Sequence, residues 1–153
     1  MFCGEANTNA NIHIRDLATS LGVDKRVITF PDRVPENLYV TYLDAADMGV
    51  QLRGYFMGGL SGALNDCIAA GLPSIANAHL ASAMVAPDYV RRVPDNFSSV
   101  LIAEAALEIL DSGQNLRRPL EARSAFGARH SPIAYCRELL AALSLEEASK
   151  ALT

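Results

Sequence analysis

Residues Gly58 to Asn77 read GGLSGALNDCIAAGLPSIAN, with glycines at 58, 59 and 62 around Ser61 and Gly54 shortly before them. Glycine lets a backbone approach a ligand without a Cβ in the way. Ser61 suits a helix N-cap, and the N–H groups behind an N-cap have no helical acceptor, which favours an anion such as a diphosphate. The helix so started carries the apolar stripe Leu60, Leu64, Cys67, Ile68 and Gly71, and Asp66 lies on the other side, four residues after Gly62. Helical Cβ atoms tilt toward the N-terminus, so the Asp66 carboxylate leans back toward the glycines. A carboxylate repels phosphate; its matching partner is a neutral diol such as a ribose, a role acidic residues fill in dinucleotide-binding folds. The same residues also read as plain helix punctuation: glycines before a helix, a Ser cap and an exposed Asp.

Other side chains carry weaker signals. Arg53 closes the apolar run GVQLR, where it fits either a phosphate or a surface ion pair with Asp44 or Asp47. His79 follows PSIAN and is either near a ligand or a solvated capping residue. His13 and His130 stand by expected helix starts as structural or exposed residues, and Tyr39 and Tyr42 read as core. Cys67, on an apolar helix face, reads as packing. Asp44 and Asp47 lack the order along the chain that the acidic cluster of a receiver domain requires.

These residues need elements to position them. MFCG and RVITF read as strands, and Asp47–Arg53 and Leu72–Asn77 as two more, with DYVRRVP a short edge strand. Between them run helical stripes: Ile14, Leu17, Ala18 and Leu21 before the stop at Gly22, and Tyr39, Tyr42, Leu43 and Ala46 after Pro35 in a first helical position. Val100, Ala103, Leu107 and Leu110 mark a helix ending near Gly113. Ser131-Pro132 opens a last one, striped by Ile133, Cys136, Leu140 and Leu143. Strand and helix in alternation predict an α/β fold, a Rossmann-like, doubly wound parallel sheet flanked by helices. In such a sheet ligands bind beyond the carboxyl ends of the strands, where Arg53–Ser61 falls.

The chain has 153 residues, half of them hydrophobic, enough for one α/β domain over 1–153. A net charge of −4 with no basic run longer than two argues against nucleic acid. Cys3, Cys67 and Cys136, odd in number and widely spaced, argue against a disulfide framework and a zinc site, and fit a reducing cytosol. The N-terminus lacks a signal-peptide pattern, and no run approaches the roughly 20 apolar residues that span a bilayer.

The succession LGVDKRVITFPDRVPENLYVTYLDAADMGVQLR, then GGLSGALNDCIAAGLPSIAN, resembles the C-terminal, nucleotide-sugar-binding domain of retaining GT-B glycosyltransferases (glycosyl transferases group 1). The family runs from an "lgl.drV.f.G.v" segment to "yl.aaDv.v.lr", a glycine-containing loop, a helix with a mid-helix Glu, and "A.G.PVIA". The counterparts here are Leu21–Val34, Tyr42–Arg53 and Gly58–Asn77, and ARHSPIAYCRELLAAL is similar to the closing helices. The resemblance implies a UDP-, GDP- or ADP-sugar donor and a metal-independent, front-face retaining transfer without a cofactor. It sets the base on Pro31–Val34, with Arg33 and Val34, and the diphosphate by Ser61 and Gly62 within the run Gly58, Gly59, Leu60, Ser61, Gly62. Arg53 would serve the phosphates, His79 would approach the donor sugar, and Asp66 would replace the family's ribose-binding glutamate.

Three departures are visible. The family's first acidic residue falls at Gly58 or Gly59, Asp66 is one methylene shorter than Glu, and the family's opening strand with its Arg/Lys loop has no counterpart. The last departure leads us to expect a fragment of a longer enzyme without its acceptor domain, or a remnant reading frame, with uncovered strand edges that favour self-association. The resulting expectation is a cytoplasmic glycosyltransferase domain, working at the inner membrane face through the full-length protein, in polysaccharide or glycolipid synthesis. The alternative is a non-catalytic Rossmann-like binding or partner module.

Overall fold

The computed structural model describes residues 8–27, 34–54, 60–112 and 120–150. The expected strand MFCG and the last three residues of RVITF lie outside them. The chain divides into two compact units, Met1–Ala45 and Ala46–Thr153.

In the first unit, helix α1 (Thr8–Ser20) stops at Gly22, whose φ of +67° is the left-handed conformation that glycine takes without strain. The Gly22 and Val23 N–H groups fold back onto the Thr19 and Ala18 carbonyls. Ala18 is buried as its stripe requires, whereas Leu17 and Leu21 stay exposed. A 3-10 turn (Asp24–Arg26) follows, and Arg26 belongs to it rather than to a strand. Helix α2 (Glu36–Ala45) begins one residue after Pro35, whose carbonyl accepts the Tyr39 N–H at 2.9 Å. Tyr39, Tyr42 and Leu43 line its half-buried side.

In the second unit, strands β1 (Gly49–Gln51), β2 (Ser74–Asn77) and β3 (Val90–Val93) form a parallel sheet in the order β1-β2-β3. The register pairs Val50 with Ile75 and Ile75 with Arg91. Successive strand residues point to opposite faces, so β2, buried at all four positions, feeds two cores. Ala76 joins Leu64 and Ile68 of α3 (Gly62–Ala69), Leu80, Ala81 and Met84 on and just after α4 (Ala78–Ala83), and Phe126 of α6 (Leu120–Arg129). Ile75 and Val93 meet Ile102, Ala105, Ala106 and Ile109 of α5 (Ser99–Asp111) on the other face. Helices thus cover both faces, an α/β architecture compatible with a Rossmann-like fold. Helix α7 (Pro132–Lys150) starts where Ser131 accepts the Ala134 N–H at 3.1 Å.

Two stripes fall differently from the sequence expectation. On α5 the residues facing the sheet are not Val100, Ala103, Leu107 and Leu110, which are exposed. Nine of the helix's thirteen residues are apolar, so apolar spacing alone does not select a side. On α7, Ile133, Cys136, Leu140 and Leu143 are all exposed.

Helix α3 ends as α1 does, on a left-handed glycine: Gly71 has φ +67°, and the Leu72 N–H reaches the Cys67 carbonyl at 2.9 Å. Arg123 of α6 lies over that glycine, where a Cβ would sit 2.6 Å from Arg123 Cδ, and its Nε donates to the Ala69 carbonyl at 2.9 Å. Among the described residues, no helix is long and apolar enough to cross a membrane.

Candidate functional site at the carboxyl ends of the strands

The parallel sheet sends the ends of β1 and β2, and the loop after β3, to one side of the second unit. Chemistry-bearing residues gather there. Ser61 caps α3: its Oγ accepts the Leu64 N–H at 3.2 Å, and its carbonyl accepts the Asn65 N–H at 2.9 Å. Its own N–H donates to Met84 Sδ at 3.5 Å, and the residue is completely buried. Arg53, two residues past β1, donates from Nη2 to the same Ser61 Oγ at 3.3 Å. A cation is therefore held at the positive end of a helix whose Gly62 and Ala63 N–H groups have no intrahelical acceptor. Both features favour an anion.

Asn77 ends β2 and completes the arrangement. Its Oδ1 accepts the Arg53 backbone N–H at 2.5 Å, which ties the end of β2 to the chain leaving β1. Its Nδ2 is buried with no hydrogen-bond partner among the described residues. A buried donor left unpaired costs about 1–3 kcal/mol.

His79 and Asp95 form a second pair on this side. Asp95 Oδ1 accepts the His79 backbone N–H at 3.1 Å and also the His79 ring Nδ1. An ionised carboxylate only accepts, so Nδ1 carries the proton. These two bonds, the ring bond first, hold the Asp95 carboxyl below its ordinary value.

The residues singled out in the sequence fare unequally. Arg53 and Ser61 are brought into contact, with Gly62 next to them at the start of α3. Asp66 is half-buried on α3, one turn after Gly62 and on the same face by helix geometry. Leu60 does not continue the buried stripe: it precedes the helix and is 74% exposed. His79 sits in the first turn of α4, bound to Asp95. Val34 is half-buried just before α2, in the first unit, while Arg33, Gly58 and Gly59 lie outside the described residues. Cys67 packs in the interior, where burial pushes its thiol up and the nearby Asp66 charge adds to the rise, so it stays protonated and inert. His130 stacks on Phe126 with ring centroids 4.0 Å apart, far along the chain from the site.

Asn77 and Asp95 were missed. An Asn closing an otherwise apolar strand run was the available signal for the first. Asp95 follows a Pro in a turn and carries no sequence signal of its own. A separate pocket of about 700 Å³ opens at the other end of β3, lined by Val85, Tyr89, Arg92, Phe126 and Arg129 among others. None of the sequence-selected residues borders it.

Compared with known proteins, the chain matches no family model, no curated protein and no solved structure.

Proposed function

We propose that the chain is the nucleotide-sugar-binding half of a retaining GT-B glycosyltransferase, built on a doubly wound Rossmann-like sheet. The observation that carries the reading is the Arg53–Ser61 hydrogen bond, which sets a guanidinium on a capped helix N-terminus beyond the end of a parallel strand. A parallel run in chain order, β1-β2-β3, agrees with the 4-5-6 side of a 3-2-1-4-5-6 sheet. In this reading the donor diphosphate lies against Ser61 and Gly62 with Arg53 as its counter-charge, Asp66 takes the ribose, and His79 faces the donor sugar. Transfer to a polysaccharide or glycolipid acceptor would follow the front-face route, with the leaving phosphate assisting the acceptor hydroxyl, in the cytoplasm or at the inner membrane face together with an acceptor domain.

Gly58 and Gly59 favour a second reading, a binding or partner module without turnover, because neither supplies the carboxylate that the family sets near the donor sugar. Titration calorimetry with UDP, GDP and ADP tests the first reading. One nucleotide binds, and Asp66→Ala weakens it about tenfold or more while leaving the unfolding transition in place. Unchanged affinity in a folded Asp66→Ala protein, or no binding by the native chain, supports the module.

A further inference from the structure

We propose that Asn77 is a ligand-reading residue, its side-chain NH2 group donating to a phosphate oxygen of the molecule bound at Arg53 and Ser61. The inference deepens the anion site proposed above and rests on it. Asn77 occupies the N-cap position of α4, with φ −57° and ψ 145°. An Asn there ordinarily turns its carbonyl oxygen onto its own helix. Asn77 makes no such bond. Asp95, reaching in from the loop after β3, accepts the His79 N–H instead and so caps the first turn of α4 in its place. The Asn77 carboxamide is thereby released toward β1, where Oδ1 accepts the Arg53 N–H at 2.5 Å. That bond also fixes which way round the amide lies, since the reversed group would set NH2 against N–H. The remaining atom, Nδ2, is a donor on a side chain with no exposed surface and no partner among the described residues.

Arg53, which Asn77 meets through the Arg53 backbone N–H, brings no acceptor side chain for that donor. Arg53 carries a positive charge and spends one N–H on Ser61 Oγ, which already accepts the Leu64 N–H. The start of α3 presents further N–H groups. Asp95 spends its Oδ1 on both His79 bonds. A guanidinium, the first N–H groups of α3 and the Asn77 amide thus lie on the carboxyl-end side of the sheet, and the complement to such donors is an anion rich in acceptor oxygens.

Calorimetry of the 153-residue chain with inorganic diphosphate, UDP, GDP and ADP tests the proposal in the native protein, in Asn77→Asp and in Asn77→Ser. Asn77→Asp keeps an oxygen for the Arg53 N–H and removes the donor; a cooperative unfolding transition checks that each variant is folded. We expect diphosphate affinity to fall at least tenfold in both. Native affinity in a folded variant overturns the proposal and leaves the nucleotide reading standing. Diphosphate binding that depends on Asn77, with nothing gained from any nucleotide, upholds it and removes the nucleotide reading. Binding of none of the four probes removes both. Should neither variant fold, the Asn77 side-chain amide resonances of the native protein decide: they shift on saturation with diphosphate, and unmoved resonances overturn the proposal.

Discussion

Helices α3 and α5 begin alike and end up in different chemistry. Each follows a Ser N-cap whose Oγ accepts the N–H three residues on, Leu64 at 3.2 Å for Ser61 and Leu101 at 3.4 Å for Ser98. Ser98 is exposed, with no other side-chain bond among those described. Ser61 is buried, receives the Arg53 guanidinium, and lies on the side of the sheet where Asn77 holds an unpaired donor. A cap therefore starts a helix wherever it occurs. It becomes a candidate site only where the sheet delivers a charge and an unsatisfied polar group to the same place.

The two helices also differ in how they meet the sheet, and the largest expected effect exploits this. Leu64→Ala empties a fully buried position under α3 and should cost about 2–5 kcal/mol of unfolding free energy in urea. Leu107→Ala, on the outer side of α5, should change it by less than about 0.5 kcal/mol. Equal costs would mean that α5 buries the stripe its apolar spacing suggested.

The caps come next in size. Ser61→Ala should cost about 1–2 kcal/mol, since it also strips Arg53 of its acceptor, whereas Ser98→Ala should stay near the low end, about 0.5 kcal/mol. Matching losses in urea unfolding would erase the distinction between the two.

The smallest effect is on pH dependence. His79 holds the Asp95 carboxyl below its ordinary value, so the folded chain binds that proton less readily than the unfolded one. The stabilisation is complete above the usual carboxyl range, about pH 4, and is lost as the pH falls through the lowered folded value. The urea midpoint of the native protein should exceed that of Asp95→Asn at pH 7, and the gap should close as the pH falls below about 4. A gap independent of pH would separate Asp95 from the capping of α4.

Much of this was legible in the sequence, for reasons that particular residues make clear. Ser61, the α3 stripe from Leu64 to Ile68, and Gly22 and Gly71 were readable because caps, 3.6-residue spacing and left-handed stops are local. The side of α5 that meets the sheet was written in its acidic residues instead. Glu104, Glu108 and Asp111 share one side, and Ile102, Ala106 and Ile109 lie opposite. Helix α4 was not read, because AHLASA is six residues long and offers no contrast of polar and apolar faces. The site was half legible. Arg53 and Ser61 are eight residues apart, but Asn77 meets Arg53 across 24 and Asp95 meets His79 across 16, distances that only the packing of the sheet can close.

Gly71 has a consequence beyond ending α3. Arg123 docks on the space that a side chain would fill, so a replacement meets the strained backbone torsion and must also move the flexible end of the arginine off the Ala69 carbonyl. Alanine already meets both. One contact of α6 with α3 is thus allowed 52 residues before Arg123, by an atom that is missing.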